Sequence, residues 1–177
     1  MPYHLKIINA GDGGVGKTTF LKRYITGEFV IDSMETIGTG FFTKKIKNKI
    51  IKDYVDLTIW DFGGQKRFRN LIKDFVMGAA GALLFFDLTR YETFQGLDEW
   101  ISIIRGFNEK ENNIPILLVG SKSDLIELST VNRKEIDKFV KDNNLIGYIA
   151  TSSKTGENVE KTIEILVNHI FKTKKRI

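Results

Sequence analysis

Residues 11–18 read Gly-Asp-Gly-Gly-Val-Gly-Lys-Thr, a spacing suited to gripping a phosphate chain. Glycines let successive backbone N–H groups wrap an anion at the start of a helix, Lys17 supplies a cation, and the Thr18 hydroxyl offers a hard oxygen to magnesium. Nucleoside triphosphate binding follows, with the base left open. A second group, Trp60-Asp61-Phe62-Gly63-Gly64-Gln65, ends a β-rich run. There Asp61 can hold magnesium through water, Gly64 can present its N–H to a terminal phosphate, and Gln65 can orient a water. A third group, Gly120-Ser121-Lys122-Ser123-Asp124-Leu125, follows an apolar run. The Asp124 carboxylate can accept both the N1–H and the exocyclic amine of guanine, a donor pair that adenine lacks, so it is the base selector. Thr151-Ser152-Ser153-Lys154 would close over the base from another side.

These residues need strand ends and helix starts to hold them. Leu5 to Ala10 reads as a strand running into the glycine loop, after which Phe20, Leu21, Tyr24 and Ile25 share one helical face. Gly81 to Phe86 and Ile114 to Val119 lack polar alternation, as expected of parallel strands covered on both faces, and Pro115 is tolerable at a strand start. Leu145 to Ala150 is a further short strand. Helical spacing recurs in Leu97, Trp100, Ile101 and Ile104, in Ile136, Phe139 and Val140, and in Val159, Ile163, Leu166, Val167 and Ile170, while Asn132 and Glu135 mark a helix start. Phe41 to Ile46 and Tyr54 to Trp60 flank Lys47-Asn48-Lys49 as an antiparallel hairpin. The sum is an α/β three-layer domain: a mostly parallel six-stranded sheet with one antiparallel strand, helices on both faces, and the ligand at the carboxyl ends of the strands.

The chain has 177 residues, 42% hydrophobic and 28% charged, which suits one globular domain. It has no cysteine, which excludes disulfides, Cys-ligated zinc, a thiol nucleophile and S-linked lipid anchors. Pro2 excludes N-myristoylation, and the longest uncharged, mostly apolar run, Phe75 to Phe86, falls short of the roughly 20 residues a bilayer requires. These features predict a soluble, cytoplasmic protein. Of the formal net charge of +5, four positive charges lie in the last six residues at Lys172, Lys174, Lys175 and Arg176, so the body is near neutral and generic nucleic-acid binding is not expected. Lys44, Lys45, Lys47, Lys49 and Lys52 form a second cluster that suits a solvated edge strand.

Taken together, the motifs resemble the small GTPases of the Ras superfamily across essentially the whole chain. Their order is that family's: phosphate loop, Thr36 as the switch I threonine, Asp61 to Gln65 opening switch II, Ser121 to Asp124 for guanine, and Ser152 to Lys154 in support. Thr36-Ile37-Gly38 looks Rab-like, whereas the sequence from Trp60 to Gln65 is similar to that of Arf and heterotrimeric G-protein α subunits; the mixture resembles archaeal or other deep-branching members. The resemblance implies a P-loop G domain over 1–171 and a short basic tail over 172–177. It implies a monomeric switch that binds GTP or GDP with magnesium and slowly hydrolyses GTP. Gly14 through Thr19 (Gly14, Val15, Gly16, Lys17, Thr18, Thr19) would bind phosphates, with Gly13 leaving room for an incoming arginine finger. Thr18 and Thr36 would hold magnesium, Asp61 would lie in its outer shell, Phe29 would stack on guanine, and Gln65 would position the attacking water beside Lys17, Thr36 and Gly64. Lys122 and Asp124 with Ser152, Ser153 and Lys154 would complete the base site.

Three departures bear on this. Ser121 replaces the usual asparagine and shortens a contact to guanine and the phosphate loop, Ser153 replaces an alanine whose backbone does the work, and no arginine lies between Arg23 and Thr36 to act as a built-in finger. The implied partners are effectors docking on the switch regions, an exchange factor and a GTPase-activating protein, with at most weak electrostatic membrane contact. Rival readings are an ATP-using P-loop enzyme, which Asp124 argues against, a nucleotide-binding scaffold with negligible hydrolysis, which Gln65 argues against, and a lysine-based nucleic-acid binder.

Overall fold

A computed structural model describes residues 3–31, 36, 38–64, 69–106 and 114–174. The elements are β1 (Tyr3–Gly11), α1 (Lys17–Thr26), β2 (Thr39–Asn48), β3 (Asp53–Phe62), α2 (Arg69–Val76), β4 (Gly81–Asp87), α3 (Tyr91–Gln95), α4 (Leu97–Arg105), β5 (Ile116–Ser121), a 3-10 segment (Ser123–Leu128), α5 (Arg133–Asp142), β6 (Gly147–Thr151) and α6 (Val159–Lys174). The strands form a six-stranded sheet in the order β2-β3-β1-β4-β5-β6. All neighbours are parallel except β2 and β3, the expected architecture.

Alternation along the central strands explains why both faces are covered. On β1, Leu5 and Ile7 enter one apolar cluster and Ile8 and Ala10 the other; on β4, Leu83 and Phe85 oppose Leu84 and Phe86 in the same way. The first cluster is sealed by Phe20 and Leu21 of α1 and by Ile163, Leu166 and Val167 of α6. The second is sealed by Ile72 of α2, Trp100 and Ile104 of α4 and Ile136 of α5. Each of these large side chains is nearly or wholly buried, which stabilises the fold by about 1.5–3 kcal/mol apiece.

Three local expectations shift. The hairpin bends at 49–52 rather than at 47–49, because Asn48 stays paired with Asp53 and its side-chain oxygen accepts the N–H groups of Ile50 (2.9 Å) and Ile51 (3.2 Å). β5 begins at Ile116 rather than Ile114: Pro115 has no N–H to give and contributes only its carbonyl, which accepts from Ala82 at 2.9 Å. β6 begins at Gly147 rather than at Leu145 and runs to Thr151. The helix start read at Asn132 is present as a reciprocal capping box with Glu135.

Candidate functional site

The carboxyl ends of β1, β3, β5 and β6 meet at a cavity of about 480 Å³. β1 delivers the chain into it through Gly11, where φ is 139° and a Cβ would lie 2.3 Å from the Phe85 carbonyl oxygen on β4. Only glycine fits there. Gly14 and Gly16 take left-handed conformations at φ 69° and 91°, and Gly16 precedes α1 with no side chain capping the helix start, so the first amides of α1 remain a binding surface for an anion. The cavity wall here is Gly13, Gly14, Gly16, Lys17, Thr18 and Thr19. Lys17 is 5% exposed, and its ammonium donates to the carbonyls of Gly11 (2.7 Å) and Asp12 (2.8 Å), which aligns it along the loop. Val15 is fully buried beneath and contributes its carbonyl to the structure described below.

Beside Lys17 three oxygens converge. The hydroxyls of Thr18 and Thr36 are 2.6 Å apart, and Thr18 also bonds the Asp61 carboxylate. Asp61 sits opposite Asn9 in the β1–β3 register, and the Asn9 amide donates to its other oxygen at 3.2 Å. Burial pushes the Asp61 carboxyl up from its usual range, opposed by the Thr18 bond, the Lys17 charge and the Asn9 bond. Two hydroxyls and a buried carboxylate form an all-oxygen donor set of the kind magnesium prefers, and adjacent ligands of an octahedral ion with bonds near 2.1 Å lie about 3 Å apart, close to the spacing found. The residues fit that ion.

Two segments close over this end. Gly63 donates its N–H to the Gly38 carbonyl at 2.9 Å, and a Cβ on Gly63 would lie 2.4 Å from the Thr36 carbonyl oxygen. A Cβ on Gly64 would lie 2.1 Å from the Gly13 nitrogen. The two glycines after β3 therefore seat directly on the phosphate loop and on Thr36 and Gly38. Gln65 lies outside the described residues.

At the opposite end of the cavity stand Ser121, Lys122 and Asp124 from the end of β5, Ser153 and Lys154 from the end of β6, and Phe29 after α1. The Ser152 hydroxyl, fully buried, donates to one Asp124 oxygen at 2.6 Å and so fixes the plane of the carboxylate. Ser121 reaches the carbonyls of Val15 (2.6 Å) and Phe86 (3.0 Å). With one proton it serves one of them at a time, yet it keeps the link between this end and the phosphate loop. Ile31 and Leu125 also line the cavity; Leu125 closes the third motif without a role of its own and Ile31 belongs to none, because apolar residues flanking a polar motif give no chemical signal.

Two further features had no motif to announce them. Asp87, at the end of β4 and fully buried, accepts from the Thr89 N–H (2.9 Å) and hydroxyl (2.7 Å) with one oxygen, and from Arg90 (3.0 Å) and Lys122 (2.6 Å) with the other. Burial alone would raise its carboxyl, but the bonds from Lys122, Thr89 and Arg90 together hold it below the ordinary value. The second is an aromatic row beside the closing segments: the Phe41, Trp60 and Phe75 rings follow one another at 5.8 and 5.2 Å, with Phe41 65% exposed. A row of half-buried rings ending in an exposed one is suited to a protein partner.

Comparison with known proteins adds an independent line. The model of the Ras family matches residues 6–172. The chain is similar to the GTP-binding protein ypt3 of Schizosaccharomyces pombe, with 38% identity over 172 residues that span 96% of this chain and 77% of the relative. It is 35% identical to the Ras-related protein Rab11A of Nicotiana tabacum over 171 residues, 96% of this chain and 76% of the relative. It is 37% identical to the Ras-related protein Rab-32A of Dictyostelium discoideum over 180 residues, 98% of this chain and 81% of the relative.

Proposed function

The chain belongs to the Ras family and is a small GTPase of that superfamily, and we propose that it works as a two-state switch set by the guanine nucleotide in the cavity described above. The observation that carries this reading is the convergence of Thr36 and of Gly63 and Gly64 on the phosphate loop and α1 start, beside Lys17, Thr18 and Asp61. Any group occupying that point is read by both segments at once.

In this mechanism the amides from Gly14 through Thr19 and the Lys17 ammonium take the phosphates, and Asp124, held by Ser152, selects guanine. Thr18 and Thr36 would hold a magnesium ion, with Asp61 in support through Thr18, and that ion would offset the negative charge that builds on the phosphate oxygens. Gln65 orients a water whose oxygen bonds to the γ-phosphorus as the bond to the β–γ bridging oxygen breaks, releasing GDP and phosphate. Thr36 and Gly64 then lose the group that fixed them, and both segments relax. Nothing lies within 4 Å of a Cβ built on Gly13, so an activating protein has room to insert an arginine there. Without one, turnover is on the order of 10⁻⁴ to 10⁻² per second.

Effectors would read the two segments and the Phe41-Trp60-Phe75 row, and an exchange factor would open the site. The similarity to Rab and Ypt proteins supports a role in membrane trafficking, with the G domain spanning 1–171 and acting as a cytoplasmic monomer. Heating the purified protein and chromatographing what is released tests the core of the reading: GDP or GTP in equimolar amount is expected, and an adenine nucleotide would overturn it. Single-turnover hydrolysis tests the rest. A Gln65→Leu chain should bind GTP nearly as the wild type does and hydrolyse it more slowly, whereas a wild-type rate no faster than that of GTP in buffer would make the protein a nucleotide-binding scaffold.

A further inference from the structure

The β4–α3 connection brings an arginine to the rear of the phosphate loop. Arg90 Nε bonds the buried Asp87 carboxylate at 3.0 Å, and one terminal nitrogen of the same guanidinium donates to the Gly13 carbonyl at 3.0 Å. A Cβ on Gly14 would lie 3.5 Å from that terminal nitrogen. One edge of the guanidinium is thus tied to a fully buried anion, and the other faces the peptide joining Gly13 to Gly14. We propose that Arg90 is a positioning residue for phosphate binding, which acts through that peptide rather than by touching the nucleotide.

The chain has no cis peptide among the described residues, so the Gly13 carbonyl and the Gly14 N–H point in opposite directions. Gly13 and Gly14 line the cavity and Arg90 does not, so a carbonyl drawn toward Arg90 turns its N–H toward the phosphates. A cation on the carbonyl oxygen also polarises the amide and strengthens the N–H as a donor. Arginine suits the task because its planar fork spans Asp87 and Gly13 together, which a single ammonium does less well. Asp87 carries Lys122 on the same oxygen at 2.6 Å, so one buried carboxylate braces the phosphate end through Arg90 and the base end through Lys122.

This inference rests on the nucleotide reading above, and its test separates the two. Affinities for GDP and GMP are measured on the full chain by competition against a fluorescent guanine nucleotide, for wild type, Arg90→Gln and Arg90→Lys. Arg90 is over a third exposed, so neither change empties a core site. For Arg90→Gln, GDP affinity should fall about tenfold, the lower end of what losing a supporting hydrogen-bond partner does at an ion site, while GMP affinity stays within about twofold. Arg90→Lys keeps the charge but not the fork, and its GDP affinity should fall about threefold relative to GMP. Equal losses for both nucleotides would make Arg90 a structural brace only, and no loss in either variant would remove it from binding; both results overturn the proposal. A wild-type chain that binds neither nucleotide would overturn the switch reading itself, and this inference with it.

Discussion

A side chain that must tell guanine from adenine has to be held still before the base arrives. In the base-selecting role proposed for it, Asp124 would be held by Ser152, whose buried hydroxyl occupies one carboxylate oxygen and still leaves acceptor capacity for two base protons, since a carboxylate offers about four lone-pair sites. Asp124→Asn would replace one acceptor by an amide N–H₂ facing the guanine amine. Losing a charged hydrogen bond at 1.5–3 kcal/mol and adding that repulsion should lower guanine nucleotide affinity by roughly a hundredfold. Xanthine, whose C2 carbonyl accepts where guanine donates, should gain. Competition between GDP and xanthosine diphosphate checks this, and a variant that still prefers GDP by the wild-type margin would remove Asp124 from base recognition. The place of Asp124 in the cavity was legible in the sequence because it follows from residue type and position after a strand end. Arg90 was not: its partner Gly13 is 77 positions away, and a lysine or arginine after a strand is ordinarily solvated.

At the scale of elements, strands and helices were legible wherever a pattern repeats, as in Gly81 to Phe86 or the apolar positions of α6. Local competition between side chain and backbone was harder to read. Lys47-Asn48-Lys49 looks like a polar turn, yet Asn48 stays in the ladder and folds the next residues around its own oxygen, with its amide donating to Asn168 at 2.9 Å. The five-residue α3 is too short to show periodicity. Why two glycines follow β3 is likewise a question of neighbours, since Gly63 meets backbone atoms of Thr36 and Gly38 and Gly64 those of the phosphate loop. Gly64→Ala would set a methyl 2.1 Å from the Gly13 nitrogen, with no flexible side-chain end to yield. The β3 end would have to lift away. GDP affinity should change little, because the loop amides and Asp124 are untouched, while single-turnover GTP hydrolysis should fall about a hundredfold, the cost of an ångström-scale misplacement at a reacting centre. Hydrolysis at the wild-type rate would show that the close approach of Gly64 is not needed for the reaction.

Across the whole molecule, the start of the terminal basic cluster and the site lie at opposite strand ends of the sheet. β1 begins at Tyr3, whose ring meets Phe171 of α6 edge-on at 5.4 Å, and ends at Gly11 at the cavity; a nine-residue strand separates those points by about 26 Å. Lys172, the first cation of the terminal cluster, therefore lies at the end of the sheet remote from the cavity, and a surface that held it would leave the cavity, Thr36 and Gly64 open to partners. At roughly 1 kcal/mol per basic residue near an anionic bilayer, four charges supply about 4 kcal/mol. Exposed charges of this kind are screened over about 8 Å at physiological ionic strength, so binding should be weak and salt-sensitive. The same cations also favour the negative end of the α6 dipole, a stabilising role that needs no membrane. Flotation with vesicles rich in anionic lipid separates these roles, comparing the full chain with one ending at Phe171, which retains the buried Phe171 and its contact with Tyr3. The full chain should float at low salt, lose most of that binding at physiological salt, and float equally with GDP or GTP bound; the shortened chain should stay in solution. If both float alike the attachment lies elsewhere on the molecule, and if neither floats at low salt the cations serve the helix end alone.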